Sequence, residues 1–203
     1  MSQPVTIRLA TIKDAAAVRA IYAPYIIETS ITFETVVPEV EEFERRITIA
    51  LERYPYLVAE LDGNVVGFAY ATAFRPRISY IRSVETSIYV KKDLKRGGIG
   101  GKLYRTLAKL LALQNVYNLN ACIAHIDPPD ECVPATSRLF HEKIGFKQVA
   151  KFTKCARKFD RWIDMIWMEW IPVEHPDNPD EFIPLPEVDP ALVQKVLDEA
   201  NAS

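Results

Sequence analysis

A basic, glycine-rich turn is the stretch of the sequence best suited to holding an anion. Lys91–Lys95 is largely charged, Arg96 follows, and glycines stand at positions 97, 98, 100 and 101. The N–H groups of a first helical turn have no partner within the helix and carry partial positive charge, so a phosphate docks there readily. The turn therefore predicts a phosphate site at the start of a helix. The residues that predict this helix recur on one face; they are Ile99, Leu103, Leu107, Leu110 and Leu111.

Two known phosphate loops do not fit this turn. A P-loop would need glycine at position 96 and serine or threonine at position 103, where Arg96 and Leu103 stand. The dinucleotide fingerprint would need a third glycine at position 103, after Gly98 and Gly100. Residue types alone also leave open a turn that only caps the helix and binds nothing.

A carboxylate interrupts the apolar pattern of the strand before the turn. Ser83–Val90 is rich in β-branched and aromatic residues, as strands are, and Glu85 is its only acid. Partial burial would raise the pKa of Glu85 toward the value that a general base needs. An exposed strand glutamate, which is common, would have no such role, and the residue type does not separate the two.

The composition is that of a globular chain. The 203 residues are 49% hydrophobic and carry a net charge of −2, which disfavours nucleic acid and anionic membranes as partners. No apolar run reaches the roughly 18 residues of a membrane span, and the N-terminus lacks a signal-peptide pattern. The cysteines and histidines show no metal-ligand spacing, which predicts reduced thiols, no metal and a cytoplasmic location. They are Cys122, Cys132, Cys155, His125, His141 and His175.

The patterns along the chain predict the order β-α-α-β-β-β-α-β-α-β-β, with the glycine turn after the fourth strand. Asn118–Ile126 predicts a buried strand, and the proline-rich Asp127–Pro134 predicts a loop. Thr136 or Ser137 is then expected to cap a short helix. Its inward residues are expected to be Leu139, Phe140 and Ile144, and Gly145 would end it.

The chain is expected to form one domain over residues 1–171, followed by a proline-rich C-terminal extension over residues 172–203. Pro172–Pro190 holds six of the fourteen prolines. Asp189 and Pro190 predict the start of a last short helix. The residues expected on its apolar side are Leu192, Val193, Val196 and Leu197.

Two motifs resemble the GCN5-related N-acetyltransferase (GNAT) superfamily. Lys95–Gly100 is similar to its Q/R-x-x-G-x-G/A pyrophosphate loop, with Lys95 in the Gln or Arg place, and Ser137–Phe146 is similar to its later helix motif. The resemblance implies the GNAT fold, of the α/β (α+β) class with a mixed central sheet flanked by helices, from near the N-terminus to about Ile171.

Four segments resemble the phosphinothricin acetyltransferase family, which includes enzymes that N-acetylate methionine sulfoximine and methionine sulfone. The segments are Tyr25–Ser30, Glu52–Glu60, Val84–Val90 and His141-Glu142 before Gly145-Phe146. This resemblance implies a homodimeric enzyme that uses acetyl-CoA to acetylate the α-amine of a small amino-acid-like substrate.

The family resemblance also implies roles for single residues. Glu85 matches the general base, His141 an auxiliary acid or base, and Tyr104 is a rival proton donor. The residues that would contact the coenzyme, through the pantetheine arm or the pyrophosphate, are Ile88, Tyr89, Val90, Arg96, Gly97, Gly98, Ile99, Gly100 and Gly101. The residues that would contact the acceptor amino acid are Arg75, Arg77, Tyr80, Phe33 and Glu28.

The sequence departs from the family at Pro134, which stands where the family carries an asparagine, at the end of an apparent insertion. Two other functions stay open: acetylation of a protein N-terminus or lysine, and a non-catalytic acyl-CoA-binding module. Arg75 and Arg77 favour a free carboxylate over a peptide groove. Glu85 weighs against a binding module, which needs the glycine turn but no base.

Overall fold

The computed structural model describes residues 5–94 and 98–202, and within them seven strands form one sheet in the order β1-β2-β3-β4-β5-β7-β6. Neighbouring strands are antiparallel except β4 and β5, which are parallel. This confirms the predicted mixed sheet. The strands are β1 (Thr6–Leu9), β2 (Tyr56–Leu61), β3 (Asn64–Ala73), β4 (Ser83–Val90), β5 (Asn118–His125), β6 (Lys147–Lys158) and β7 (Arg161–Trp170). The helices are α1 (Ala15–Glu28), α2 (Val40–Leu51), α3 (Ile99–Leu113), α4 (Thr136–Ile144) and α5 (Pro190–Asn201).

Helices cover both faces of the sheet. On one face, α1 and α2 bury residues such as Ile21 and Ile47 against Phe68 of β3. On the other face, α3 packs the apolar stripe predicted from the sequence against β2, β3 and β4. Leu107, at the centre of that stripe, is fully buried, so its truncation to alanine would cost about 2–5 kcal/mol of stability.

The two parallel strands separate after a short shared stretch. β4 and β5 pair only over Ser83–Glu85 and Asn118–Asn120. Beyond these three pairs, Thr86–Val90 and Ala121–His125 diverge, which opens the sheet near its centre. Glu85 is the last residue of β4 that pairs with β5. The fold therefore places Glu85 at the point where these two strands diverge.

The short helix α4 lies where the sequence predicted it, but its start and its inward face differ. Ala135, rather than Thr136 or Ser137, is the N-cap residue, and no side chain caps the helix. Leu139 is 53% exposed, so its predicted inward position is wrong. The helix is rotated so that His141 is buried instead.

The C-terminal extension packs on the body of the protein. The Gln114 side-chain amide donates to the carbonyls of Arg53 and Ile183, which ties residues 182–185 to the end of α3. Asp189 caps α5, as predicted. The predicted apolar side is only partly buried, because Leu192 is exposed. At the end of α5, the side chain of Asn201 forms hydrogen bonds with both backbone groups of Ile7 in β1, at 2.7 and 3.0 Å.

Over residues 5–94 and 98–202, no helix is long and apolar enough to cross a membrane.

Candidate active site

A cavity of about 40 Å³ lies between the diverging halves of β4 and β5, and we call it the wedge. Its walls are Thr86–Tyr89 and Ala121–Ala124, with Tyr104 of α3, His141 of α4 and Pro134 of the preceding loop at its sides. Two of the three predicted catalytic residues therefore line one cavity. The third, Glu85, precedes the first wall residue on β4.

Glu85 is held at the closed end of the wedge by its place in the sheet. It pairs with Thr72 of β3 and Asn120 of β5. Burial of its side chain raises the pKa of the carboxyl group, and the positive charge of Arg75 partly opposes the rise. A carboxylate with a raised pKa is a better proton acceptor than an exposed one, so Glu85 is equipped to deprotonate an ammonium group.

Tyr104 and His141 form a buried hydrogen-bonded pair beside the wedge. The Tyr104 hydroxyl lies 2.8 Å from Nε2 of His141, and Nδ1 of His141 lies 2.7 Å from the carbonyl oxygen of Ser137. Because a carbonyl only accepts, Nδ1 carries the ring proton, and Nε2 accepts from Tyr104. Burial lowers the pKa of His141 to about 4 and raises the pKa of Tyr104. Both groups are therefore uncharged at neutral pH.

The start of α3 shows why two of the glycines are needed. Gly98 is the N-cap residue and has a φ of +78°, a conformation that strongly favours glycine. A Cβ on Gly100 would lie 3.1 Å from the ring of Phe140, so this glycine lets α3 pack closely on α4. Gly101 is buried in the first turn.

Three other predicted coenzyme residues already have partners within the protein. The ring of Tyr89 packs against the rings of Tyr22 and Tyr25, with centroids 4.7 and 5.2 Å apart. The carbonyl of Val90 accepts a hydrogen bond from the Tyr25 hydroxyl at 2.6 Å, and the side chain of Ile99 is buried in the core.

Ile88, in contrast, lines the wedge. The predicted coenzyme residues Arg96 and Gly97 lie outside the described residues.

Arg75 is stacked on two aromatic rings. Its guanidinium carbon lies 4.3 Å from the ring centroid of Phe74 and 5.4 Å from that of Trp167, and the two rings are perpendicular. Tyr80 flanks this group, with its ring 6.1 Å from that of Phe74. The sequence did not single out Trp167, because only its pairing with Cys122 in the sheet brings it to this site.

The remaining predicted acceptor residues lie in different places. Phe33 packs against a small buried cluster that includes Ala124, which lines the wedge. Glu28 is exposed at the end of α1 and pairs with Lys92 at 2.6 Å, beside the segment that leads to the glycine turn. Arg77 is exposed at the start of a short 3-10 turn.

The loop Asp127–Pro134 closes one side of the wedge. Pro134 lines the cavity, and Val133 is buried against Ile163. The carbonyl of Cys132 accepts from the backbone N–H of Ser30 at 2.9 Å. The apparent insertion is therefore packed into the site wall.

Cys122 lines the wedge and lies close enough to Glu85 to be affected by its charge, but its environment keeps it a thiol. Burial raises the pKa of Cys122 to about 12, and the nearby Glu85 charge adds to the rise. A protonated thiol is a poor nucleophile, so the geometry favours direct transfer over a cysteine-bound intermediate. Across the described residues, no group of three or more metal-ligating side chains comes together.

Comparisons with known proteins identify the family of this chain. Residues 7–167 match the family model described as acetyltransferase (GNAT) domain. The chain is 34% identical over 165 residues to a phosphinothricin N-acetyltransferase of Alcaligenes faecalis, covering 81% of each chain. It is 30% identical to an L-methionine sulfoximine/L-methionine sulfone acetyltransferase of Pseudomonas aeruginosa, covering 81% of this chain and 92% of that one.

A solved structure shares the fold over nearly the whole length. The phosphinothricin acetyltransferase of Sinorhizobium meliloti, in complex with acetyl-CoA, superposes with a TM-score of 0.74 at 27% identity, covering 93% of this chain and 97% of that one. The chain therefore belongs to the GNAT family of acetyltransferases and is an N-acetyltransferase.

Proposed function

We propose that this enzyme transfers the acetyl group of acetyl-CoA to the α-amine of a small amino-acid-like substrate of the phosphinothricin, methionine sulfoximine or methionine sulfone type. The observation that carries the proposal is the half-buried Glu85, with its raised pKa, at the last β4–β5 pair, directly before the wedge that Tyr104 lines. Relatives with these substrates in their names support the substrate class.

The coenzyme would lie along the opening between β4 and β5. The first turn of α3, from Gly98 to Gly101, would receive the pyrophosphate, because its backbone N–H groups and dipole favour an anion. Ile88 and Val90 would offer backbone groups to the pantetheine arm, which docks as an added strand does. The thioester would then reach the wedge between Glu85 and Tyr104.

Glu85 would take a proton from the substrate ammonium group, directly or through water, and so free the amine lone pair. The amine would attack the thioester carbonyl, and the tetrahedral intermediate would collapse with cleavage of the C–S bond. The thiolate of CoA would take a proton from Tyr104, and the second proton of the reacting nitrogen would return to the Tyr104 oxygen, which leaves a neutral amide and the original hydroxyl. His141, which accepts from Tyr104 in the resting enzyme, holds this hydroxyl in place.

Arg75 would bind the substrate carboxylate, since a guanidinium matches a carboxylate with two parallel hydrogen bonds. Arg77 and Tyr80 would contact the other end of the substrate, and Phe33 and Glu28 would complete the pocket in a cytoplasmic homodimer. Residues 1–171 would form the catalytic domain, with residues 172–203 as its extension.

The test is thiol release from acetyl-CoA over an amine panel: phosphinothricin, methionine sulfoximine, methionine sulfone, ordinary amino acids, polyamines and a short peptide. We expect turnover with the first three only. Turnover with the peptide alone would refute the substrate class.

The Glu85→Gln variant is the matched test of the base, because it keeps the shape of the side chain. Its kcat should fall by about a hundredfold or more, while acetyl-CoA binding measured by calorimetry stays within about threefold, a change below 1 kcal/mol. An equal loss of kcat and of acetyl-CoA affinity would indicate that Glu85 is a structural residue and would contradict its catalytic role.

A further inference from the structure

Two side chains bridge β4 and β5 where the strands separate. The Thr86 hydroxyl donates to the carbonyl oxygen of Asn120 at 3.1 Å, and the Asn120 side-chain amide donates to the carbonyl oxygen of Val84 at 3.1 Å. Thr86 is 3% exposed and Asn120 is 6% exposed. We call these two residues the clasp.

The clasp reinforces the end of the shared stretch. Val84 and Asn120 belong to the last pairs of the β4–β5 ladder, and the clasp adds a side-chain hydrogen bond to the carbonyl of each. Buried polar side chains need hydrogen-bond partners, and these two carbonyls supply partners for the Thr86 hydroxyl and the Asn120 amide. The clasp therefore ties the two strands together directly before they part.

The clasp also contacts the proton donor proposed above. The Thr86 hydroxyl lies 3.2 Å from the Tyr104 hydroxyl, which in turn contacts His141. A buried series of polar contacts thus runs from Asn120 of β5, whose backbone pairs with Glu85, through Thr86 of β4 to Tyr104 of α3. It ends at His141 of α4.

We propose that Thr86 and Asn120 are positioning residues of the acetyl transfer: they fix the closed end of the wedge and thereby the placement of Glu85 relative to the Tyr104 hydroxyl. The proposal rests on the function proposed above, because it takes the wedge as the place of reaction. It assigns the clasp no contact with either substrate.

The test compares Thr86→Val with Thr106→Val. Thr106 is a matched control, because it is 2% exposed and its hydroxyl only returns to the Lys102 carbonyl within α3. We expect Thr86→Val to lower kcat at least about tenfold, with the KM for acetyl-CoA changed by less than about threefold. Thr106→Val should stay within about twofold of the wild type in both quantities.

Conservative variants separate positioning from folding. Thr86→Ser keeps the hydroxyl and should retain at least about a third of the wild-type kcat. Thr86→Cys introduces a side chain of nearly the same size as serine, but its S–H group is a weak donor, so its kcat should fall below about a third of the wild-type value. This pair decides the question if Thr86→Val does not fold. Equal activity of the serine and cysteine variants, or equal losses in Thr86→Val and Thr106→Val, would overturn the proposal.

A second readout does not depend on turnover. In protein with ¹³C-labelled tyrosine, the ring signal of Tyr104, assigned with Tyr104→Phe, should shift in Thr86→Val and stay in place in Thr106→Val. If the wild type acetylated none of the amines, the proposed function would be wrong, but the shift of the Tyr104 signal in Thr86→Val would still show that Thr86 positions Tyr104. If the Tyr104 signal did not move in Thr86→Val, the proposed role of the clasp would be wrong.

Discussion

The guanidinium carbon of Arg75 lies 5.4 Å from the ring centroid of Trp167, and the charge of Arg75 lowers the pKa of the neighbouring Glu85 against the effect of burial. The cation that we propose as the partner of the substrate carboxylate thus also affects the pKa of the proposed base. The two effects can be separated by experiment.

Removal of the Arg75 charge should move the acid limb of activity. Glu85 must be deprotonated to act as a base, so kcat/KM falls as the pH falls through its pKa. Arg75→Gln removes a charge that lowers this pKa, so the acid limb should shift to higher pH. The measurement is kcat/KM against pH, with Arg77→Gln as the comparison, since Arg77 is not among the groups that shift Glu85. An unmoved limb in Arg75→Gln would argue against Glu85 as the titrating base.

Loss of the Trp167 ring should raise the KM for the acceptor more than it lowers kcat. Trp167→Leu removes one of the two rings that hold Arg75 in place, and cation–π contacts contribute about 0.5–2 kcal/mol. We expect the KM for an amino-acid acceptor to rise between about twofold and thirtyfold. The KM for acetyl-CoA should stay constant. A fall in kcat with no change in the acceptor KM would contradict this role.

Two neighbouring glycines should respond differently to alanine. Gly100→Ala would place a methyl group 3.1 Å from the packed Phe140 ring, and such overpacking costs about 1–3 kcal/mol. Gly101→Ala would meet only the flexible side chain of Arg105 at 3.1 Å, and alanine favours a helix by up to about 1 kcal/mol. Urea unfolding without coenzyme should therefore show loss of stability in the first variant only.

The buried His141 should make the folded state sensitive to mild acid. Its pKa is lowered from 6.5 to about 4 in the folded protein, so the unfolded chain binds the proton more readily between these values. Stability therefore falls as the pH drops from about 6.5 to about 4, by on the order of 3 kcal/mol, and levels off below.

The pH test compares the wild type with His141→Gln by urea unfolding at several pH values. The slope between pH 4 and 6.5 should be smaller in His141→Gln than in the wild type. His175→Gln, which changes an exposed histidine, should leave the slope as it is. Parallel curves for the wild type and His141→Gln would refute the prediction.

Local patterns were enough to predict the elements but not the contacts between them. Ser83–Val90 was predicted with its observed bounds, because β-branched and aromatic residues mark a strand whatever its partners are. Thr86, Asn120 and Trp167 were not singled out, since their roles depend on strand register and divergence. Leu139 was placed inward by apolarity alone, whereas in the structure α4 turns His141 inward, where its Nε2 accepts from the Tyr104 hydroxyl.

The pairing of Asn201 with Ile7 has a consequence for self-association. β1 is an outer strand of the sheet, and an open sheet edge is a template to which another chain can add a strand. The side chain of Asn201 occupies both the N–H and the carbonyl of Ile7, as a neighbouring strand would. Strand addition at Ile7 is thereby blocked.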